Sequence, residues 1–300
     1  MNRRKALKKG LSLAALGLAS AAGAKWGLSM LNGLFNAPKS DRMPVLFVGH
    51  GSPMNAIEDN AFSQTLDKLG KELPRPTAVL AISAHWMTTG GTLVAEAVRP
   101  QTIHDFGGFP KALFDVQYPA PGSPETAKLV QQSVTQPMIH GDEGEWGLDH
   151  GTWAVLKHLY PQADVPVLQL SIDMSQPPEY HLKIGEQLAV LRDRGVLILG
   201  SGNIVHNLRV IRFAPGAQGY EWAHEFDEWS KARLNERDHH ALAVDYHKTE
   251  AGRLSIPTMD HYLPLMYILG ASNRKDDLRH EFEDIQLGSC SMRTVSFGRS

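Results

Sequence analysis

Three continuous apolar runs, each closing on a small-residue turn with a histidine in or just beyond it, limit most strongly what this chain can fold into. The first is Val45-Leu46-Phe47-Val48, followed by Gly49-His50-Gly51-Ser52-Pro53. The second is Ala78-Val79-Leu80-Ala81-Ile82, which runs into Ser83-Ala84-His85-Trp86. The third is Val196-Leu197-Ile198-Leu199, which runs into Gly200-Ser201-Gly202-Asn203 with His206 three residues further on. An apolar run without polar alternation is a strand buried on both faces, and such strands belong to mostly parallel sheets. Parallel neighbours need crossover connections. Helical segments at 60–73, 123–131, 179–193 and 220–235 fit between the runs. The expected class is therefore α/β, a single three-layer domain with a mostly parallel central sheet flanked by helices. At 300 residues and 42% hydrophobic, the chain has ample material for that core.

In open α/β sheets, ligands bind at the carboxyl ends of the strands. Three histidines at three such ends point into one crevice, and the small residues beside them leave room for a bound group. The chain has one cysteine, Cys290, which rules out an internal disulfide and a thiolate metal cluster. A bound metal must then take nitrogen and oxygen ligands. Of the 14 histidines, His140, His158, His181, His224, His247 and His280 have unpatterned surroundings and read as surface or helix-face residues. His239 and His240 sit in a polar run and read as solvated. His150, in a glycine-flanked turn before the helical run 154–160, and His261, at the start of an apolar helix, have settings that suit either a structural or a functional role.

The first forty residues stand apart. Residues 1–24 carry Arg3, Arg4, Lys5, Lys8 and Lys9 with no acid, then an apolar stretch, Gly10 to Ala24, that closes on Ala-Gly-Ala. Basic, apolar and small segments in that order are the signature of a secretory leader. At fifteen residues the stretch is short for a spanning helix, which needs about 20. Asn2-Arg3-Arg4-Lys5-Ala6-Leu7 resembles a twin-arginine export signal. We therefore expect residues 1–42 to be a leader, or an N-terminal anchor with linker, and 43–300 to be the catalytic domain. The expected location is periplasmic or exported, with membrane attachment only through an uncleaved leader. Without residues 1–24, 25 basic and 32 acidic side chains remain, so a nucleic-acid partner is not expected.

Several longer motifs resemble one family in particular. They are Gly49-His50-Gly51-Ser52-Pro53-Met54-Asn55, Ser83-Ala84-His85-Trp86, Thr102-Ile103-His104-Asp105-Phe106-Gly107-Gly108-Phe109-Pro110, Tyr118-Pro119-Ala120-Pro121-Gly122, Gly147-Leu148-Asp149-His150-Gly151, Gly200-Ser201-Gly202-Asn203-Ile204-Val205-His206-Asn207 and His261-Tyr262-Leu263-Pro264-Leu265. In order, from about Met43 to the C-terminus, they resemble the 4,5-DOPA extradiol dioxygenases of the class III (LigB-type) ring-cleaving enzymes. The resemblance implies that His50, His85 and His261 are metal ligands. It implies that His206 is a fourth ligand or an acid/base residue beside the metal, and that His150 is a catalytic histidine. We assign the base role to His206 and acid or hydrogen-bonding support to His150. The wider class offers two histidines and a carboxylate, so this site is all-imidazole, and imidazole suits zinc, iron and copper alike. Asp260 reads as a helix N-cap or a partner of His261, with the cap favoured. His104, Asp105 and Phe106 are expected in the substrate wall or, alternatively, in a Gly/Pro-rich surface loop.

The implied activity is opening of a catechol (DOPA-like) ring by O2 to a semialdehyde, with Fe(II) for activity and Zn(II) as another occupant of the site. A zinc-dependent hydrolase is the second reading, because an all-histidine site can also activate water. An exported metal-binding protein without turnover is the third.

Overall fold

The computed structural model describes residues 42–142, 144–214 and 216–299. The expected leader and all but one residue of its linker lie outside the described residues. Six strands form the main sheet: β1 (Val45–Gly49), β2 (Ala78–Ser83), β3 (Val167–Gln169), β4 (Val196–Gly202), β5 (Leu278–Phe282) and β6 (Thr294–Phe297). Their order is β3-β2-β4-β1-β6-β5. The first four run parallel. The last two join antiparallel at one edge. The three apolar runs are thus the central strands, and every residue of β1, β2 and β4 is buried.

Strand geometry sends alternate side chains to opposite faces, and each face meets helices. Val45, Phe47, Leu80, Ile82, Val196 and Ile198 share one core with α2 (Pro124–Ser133), α4 (Pro178–Leu188), α5 (Glu221–Glu236) and α6 (Leu263–Ala271). Leu46, Val48, Val79, Ala81, Leu197 and Leu199 pack against α1 (Ala61–Glu72) and α3 (His150–Leu159) on the other face. The result is the three-layer arrangement. The sequence places this helical run at 154–160. The helix in fact begins at His150, because the Asp149 carboxylate accepts from the Thr152 N–H and starts it one turn earlier.

Two histidines read as surface residues are not solvated. His181 is fully buried in α4, and its Nδ1 lies 2.8 Å from the Tyr267 hydroxyl. Burial pushes its pKa from the ordinary 6.5 down to about 4. His239 is partly buried and is likewise lowered to about 4, by burial and then by Arg237. For His181 the folded pKa lies below the unfolded one, so between those values the unfolded chain binds the extra proton. Its contribution to stability is complete above pH 6.5 and falls with acidification, by up to about 1.4 kcal/mol per pH unit. Urea unfolding of the metal-free protein at pH 7.5 and 5.5 should show a slope of this sign, to which the other lowered histidines add, and His181→Phe should reduce it by about the His181 share.

Candidate metal centre

The histidines of the sequence pattern gather where the parallel strands end. His50 follows β1, and its backbone N–H donates to the Gly202 carbonyl at 3.0 Å. His85 follows β2, where the Ala84 N–H is held by the Ser201 carbonyl. His261 lies just before α6, and its carbonyl accepts from the Asn203 N–H at 2.8 Å. That last contact needs a glycine: a Cβ on Gly202 would overlap the His261 carbonyl. Gly202→Ala should therefore cost about 1–3 kcal/mol through overpacking and displace His261. Calorimetry together with metal titration would register both effects.

One ring nitrogen from each of His50, His85 and His261 lies within 4.8 Å of the other two. The Nε2 atoms of His50 and His85 are 3.2 Å apart. Hydrogen-bond partners assign the tautomers. The Ser201 hydroxyl donates to the Gly151 carbonyl at 2.5 Å, so its oxygen accepts from His50 Nδ1 at 3.0 Å. His85 Nδ1 faces the Asp105 carboxylate at 3.3 Å, and His261 Nδ1 is paired with Asp260. With Nδ1 as the donor in His50, its Nε2 presents a bare lone pair toward His85. With the His85 proton on Nδ1, on the Asp105 side, both Nε2 atoms, 3.2 Å apart, offer lone pairs that one cation can share. Burial, then the neighbouring histidines, pushes the His50 pKa well below its usual value. His85 is lowered the same way, against the opposing pull of Asp105. Both rings are therefore neutral, the form that ligates metal. This donor set fits a metal ion.

Asp260 is not a helix cap. It is spent on His261, while α6 starts after Tyr262 with no side-chain cap bond. Burial alone would raise the Asp260 pKa, but the His261 hydrogen bond overcomes that and holds it well below the usual carboxylate range. Asp105 behaves likewise: burial works against it, and the hydrogen bond from His150 holds its pKa at about 2. The all-imidazole cluster is thus backed by two carboxylates, which orient the rings and raise their basicity.

His150 stands at the first turn of α3. Its ring is 4.0 Å from that of His85 between centroids, and its Nδ1 is 2.9 Å from Asp105. Its Nε2 is left as an acceptor. His206 joins a different group, with Asp260 and His261, and its ring stacks on His261 with centroids 3.4 Å apart. Among the described residues the His206 ring makes no hydrogen bond, and burial pushes its pKa down to about 2. Phe106 meets His150 edge-on at 5.5 Å. His104 is turned away: its Nε2 faces the Val116 carbonyl at 3.0 Å, and its ring packs among Phe106, Phe114 and Trp153.

The sequence of the family described as the catalytic LigB subunit of aromatic ring-opening dioxygenase matches residues 44–294. The chain belongs to the LigB family. A 4,5-DOPA dioxygenase extradiol of Escherichia coli (strain K12) is 48% identical over 262 residues, covering 86% of this chain and 96% of that protein. The Beta vulgaris protein of the same name is 36% identical, covering 79% of this chain and 91% of its own length. A crystal structure described as an uncharacterized Escherichia coli K12 protein superposes with a TM-score of 0.76 at 42% identity, over 86% of this chain and all of that one. This LigB protein is accordingly a metal-dependent, extradiol ring-cleaving dioxygenase that acts with O2 on a small molecule.

Proposed function

We propose that this LigB protein opens the ring of a catechol beside its diol, with Fe(II) held by His50, His85 and His261. The observation that carries the proposal is the convergence of the three imidazoles, one ring nitrogen of each within 4.8 Å of the other two, with His50 Nδ1 tied to Ser201 and His261 Nδ1 tied to Asp260. A ferrous ion held by these three histidines would supply the chemistry that activates the catechol and dioxygen toward each other. The two 4,5-DOPA dioxygenase extradiol relatives support a DOPA-like catechol.

The remaining roles belong to side chains. Asp105 fixes the His150 ring with Nδ1 as donor, so its Nε2 takes the proton of a docking catechol hydroxyl. The same Nε2 can return a proton as the ring opens. This geometry favours His150, rather than His206, for the first proton. His206, stacked on His261, borders the metal as a fourth ligand or as a second acid/base residue. Phe106 walls the substrate side of His150, and His104 supports Phe106 from behind. Export is part of the same proposal, supported by the basic-then-apolar order of residues 1–24, and cell fractionation tests it. Among the described residues, no helix is long and apolar enough to cross a membrane.

Anaerobic reconstitution with Fe(II), then air and a panel of catechols, tests the reaction. A yellow semialdehyde with one O2 consumed per substrate supports it. Absence of O2 uptake from every catechol, with ester or amide hydrolysis under Zn(II), establishes the hydrolase reading instead.

A further inference from the structure

Asp105 lies on a loop without regular structure, yet both its carboxylate oxygens are engaged: His150 bonds each of them, and the His85 ring lies beside one. Oδ1 accepts the His150 backbone N–H at 2.9 Å, while Oδ2 is 2.9 Å from His150 Nδ1 and 3.3 Å from His85 Nδ1. The side chain is 17% exposed. We propose that Asp105 is a positioning residue that couples cation binding to acid/base readiness, because one oxygen sets both the ligand ring His85 and the proton-carrying ring His150. The inference rests on the ligand and proton roles proposed above.

The coupling follows from the shared acceptor. A cation on His85 Nε2 makes the opposite N–H a stronger donor, which draws Oδ2 toward His85. That same oxygen keeps His150 in the Nδ1–H tautomer, leaving its Nε2 bare. An amide at position 105 cannot do both. If its oxygen meets the His150 backbone N–H, its NH2 group opposes two ring N–H donors. If it is flipped, the backbone donor is left opposed. The loop itself does not depend on the carboxylate. Ile103 N–H donates to the Leu148 carbonyl, Leu148 N–H to the Gln101 carbonyl, and Trp153 Nε1 to the Ile103 carbonyl. Asp105→Asn should therefore fold.

The test uses Zn(II) as probe and needs no turnover. Zinc affinity is measured by competition with a chelator, and the His150 tautomer by ring 15N shifts with His150→Ala as the assignment control. Asp105→Asn should weaken zinc by about 10- to 100-fold and move neutral His150 to the Nε2–H tautomer. Asp105→Glu should recover part of both, and His150→Ala, which frees the shared oxygen for His85, should bind zinc at least as tightly as wild type. Unchanged zinc affinity, or a retained Nδ1–H tautomer in Asp105→Asn, overturns the proposal. So does a lowered melting temperature alone. If instead His50→Ala binds zinc as wild type does, the ligand assignment itself has failed.

Discussion

His261→Ala should leave a folded protein that holds no stoichiometric metal and has no measurable ring-opening activity. Fold and ligand are separable here because the strand contact is made by the backbone: Asn203 N–H bonds the His261 carbonyl whatever the side chain. The side chain supplies one of three convergent ring nitrogens and carries Asp260 behind it. Structural zinc sites with four ligands bind with about 10–16 kcal/mol, so one ligand is worth roughly 3 kcal/mol and its loss about a hundredfold or more in affinity. His50→Ala should do the same, while His140→Ala, at an exposed strand position, should change nothing. Equilibrium dialysis with metal analysis checks all three. His206→Ala in the same series separates a fourth ligand, which lowers affinity, from an acid/base residue, which does not.

His150→Ala is expected to behave in the opposite way, retaining metal and losing turnover by about 10²–10⁴-fold, the usual span for a positioned acid or base. Its ring lies beside the cluster without sharing the three-nitrogen group, and its anchored Nδ1 leaves only Nε2 for proton transfer. Single-turnover kinetics on Fe(II)-loaded protein would place the defect in a chemical step. Loss of metal from His150→Ala would move it into the ligand set and undo the division of roles.

The central strands and most of the helices were legible because burial on both faces leaves an unbroken apolar run, and because α1, α2, α4 and α5 lie close to the segments between those runs. The two strands with antiparallel pairing, β6 and the edge strand β5, were not. β5 is only half buried and carries Arg279, His280 and Glu281, so it shows no apolar run. The strand-end histidines could be read from position, but His261 and His150 lie outside the strand pattern and gained their meaning from longer motifs. The carboxylates were harder. Asp260 and His261 are neighbours in sequence, where a cap and a hydrogen-bonded partner look alike until the start of α6 is known. Asp105 reaches His150 across 45 residues, through a lone parallel bridge between Thr102 and Leu148 that no periodicity announces. His181 looked like a helix-face residue, since nothing local shows that Tyr267 would cover it.

The ring-opening assignment is tested most directly by turnover of a catechol under 18O2 in ordinary water. Extradiol cleavage predicts one 18O in the new carboxylate, which does not exchange with solvent, and none when the label is placed in water instead. Label entering that carboxylate from water, with none from the gas, would contradict the account.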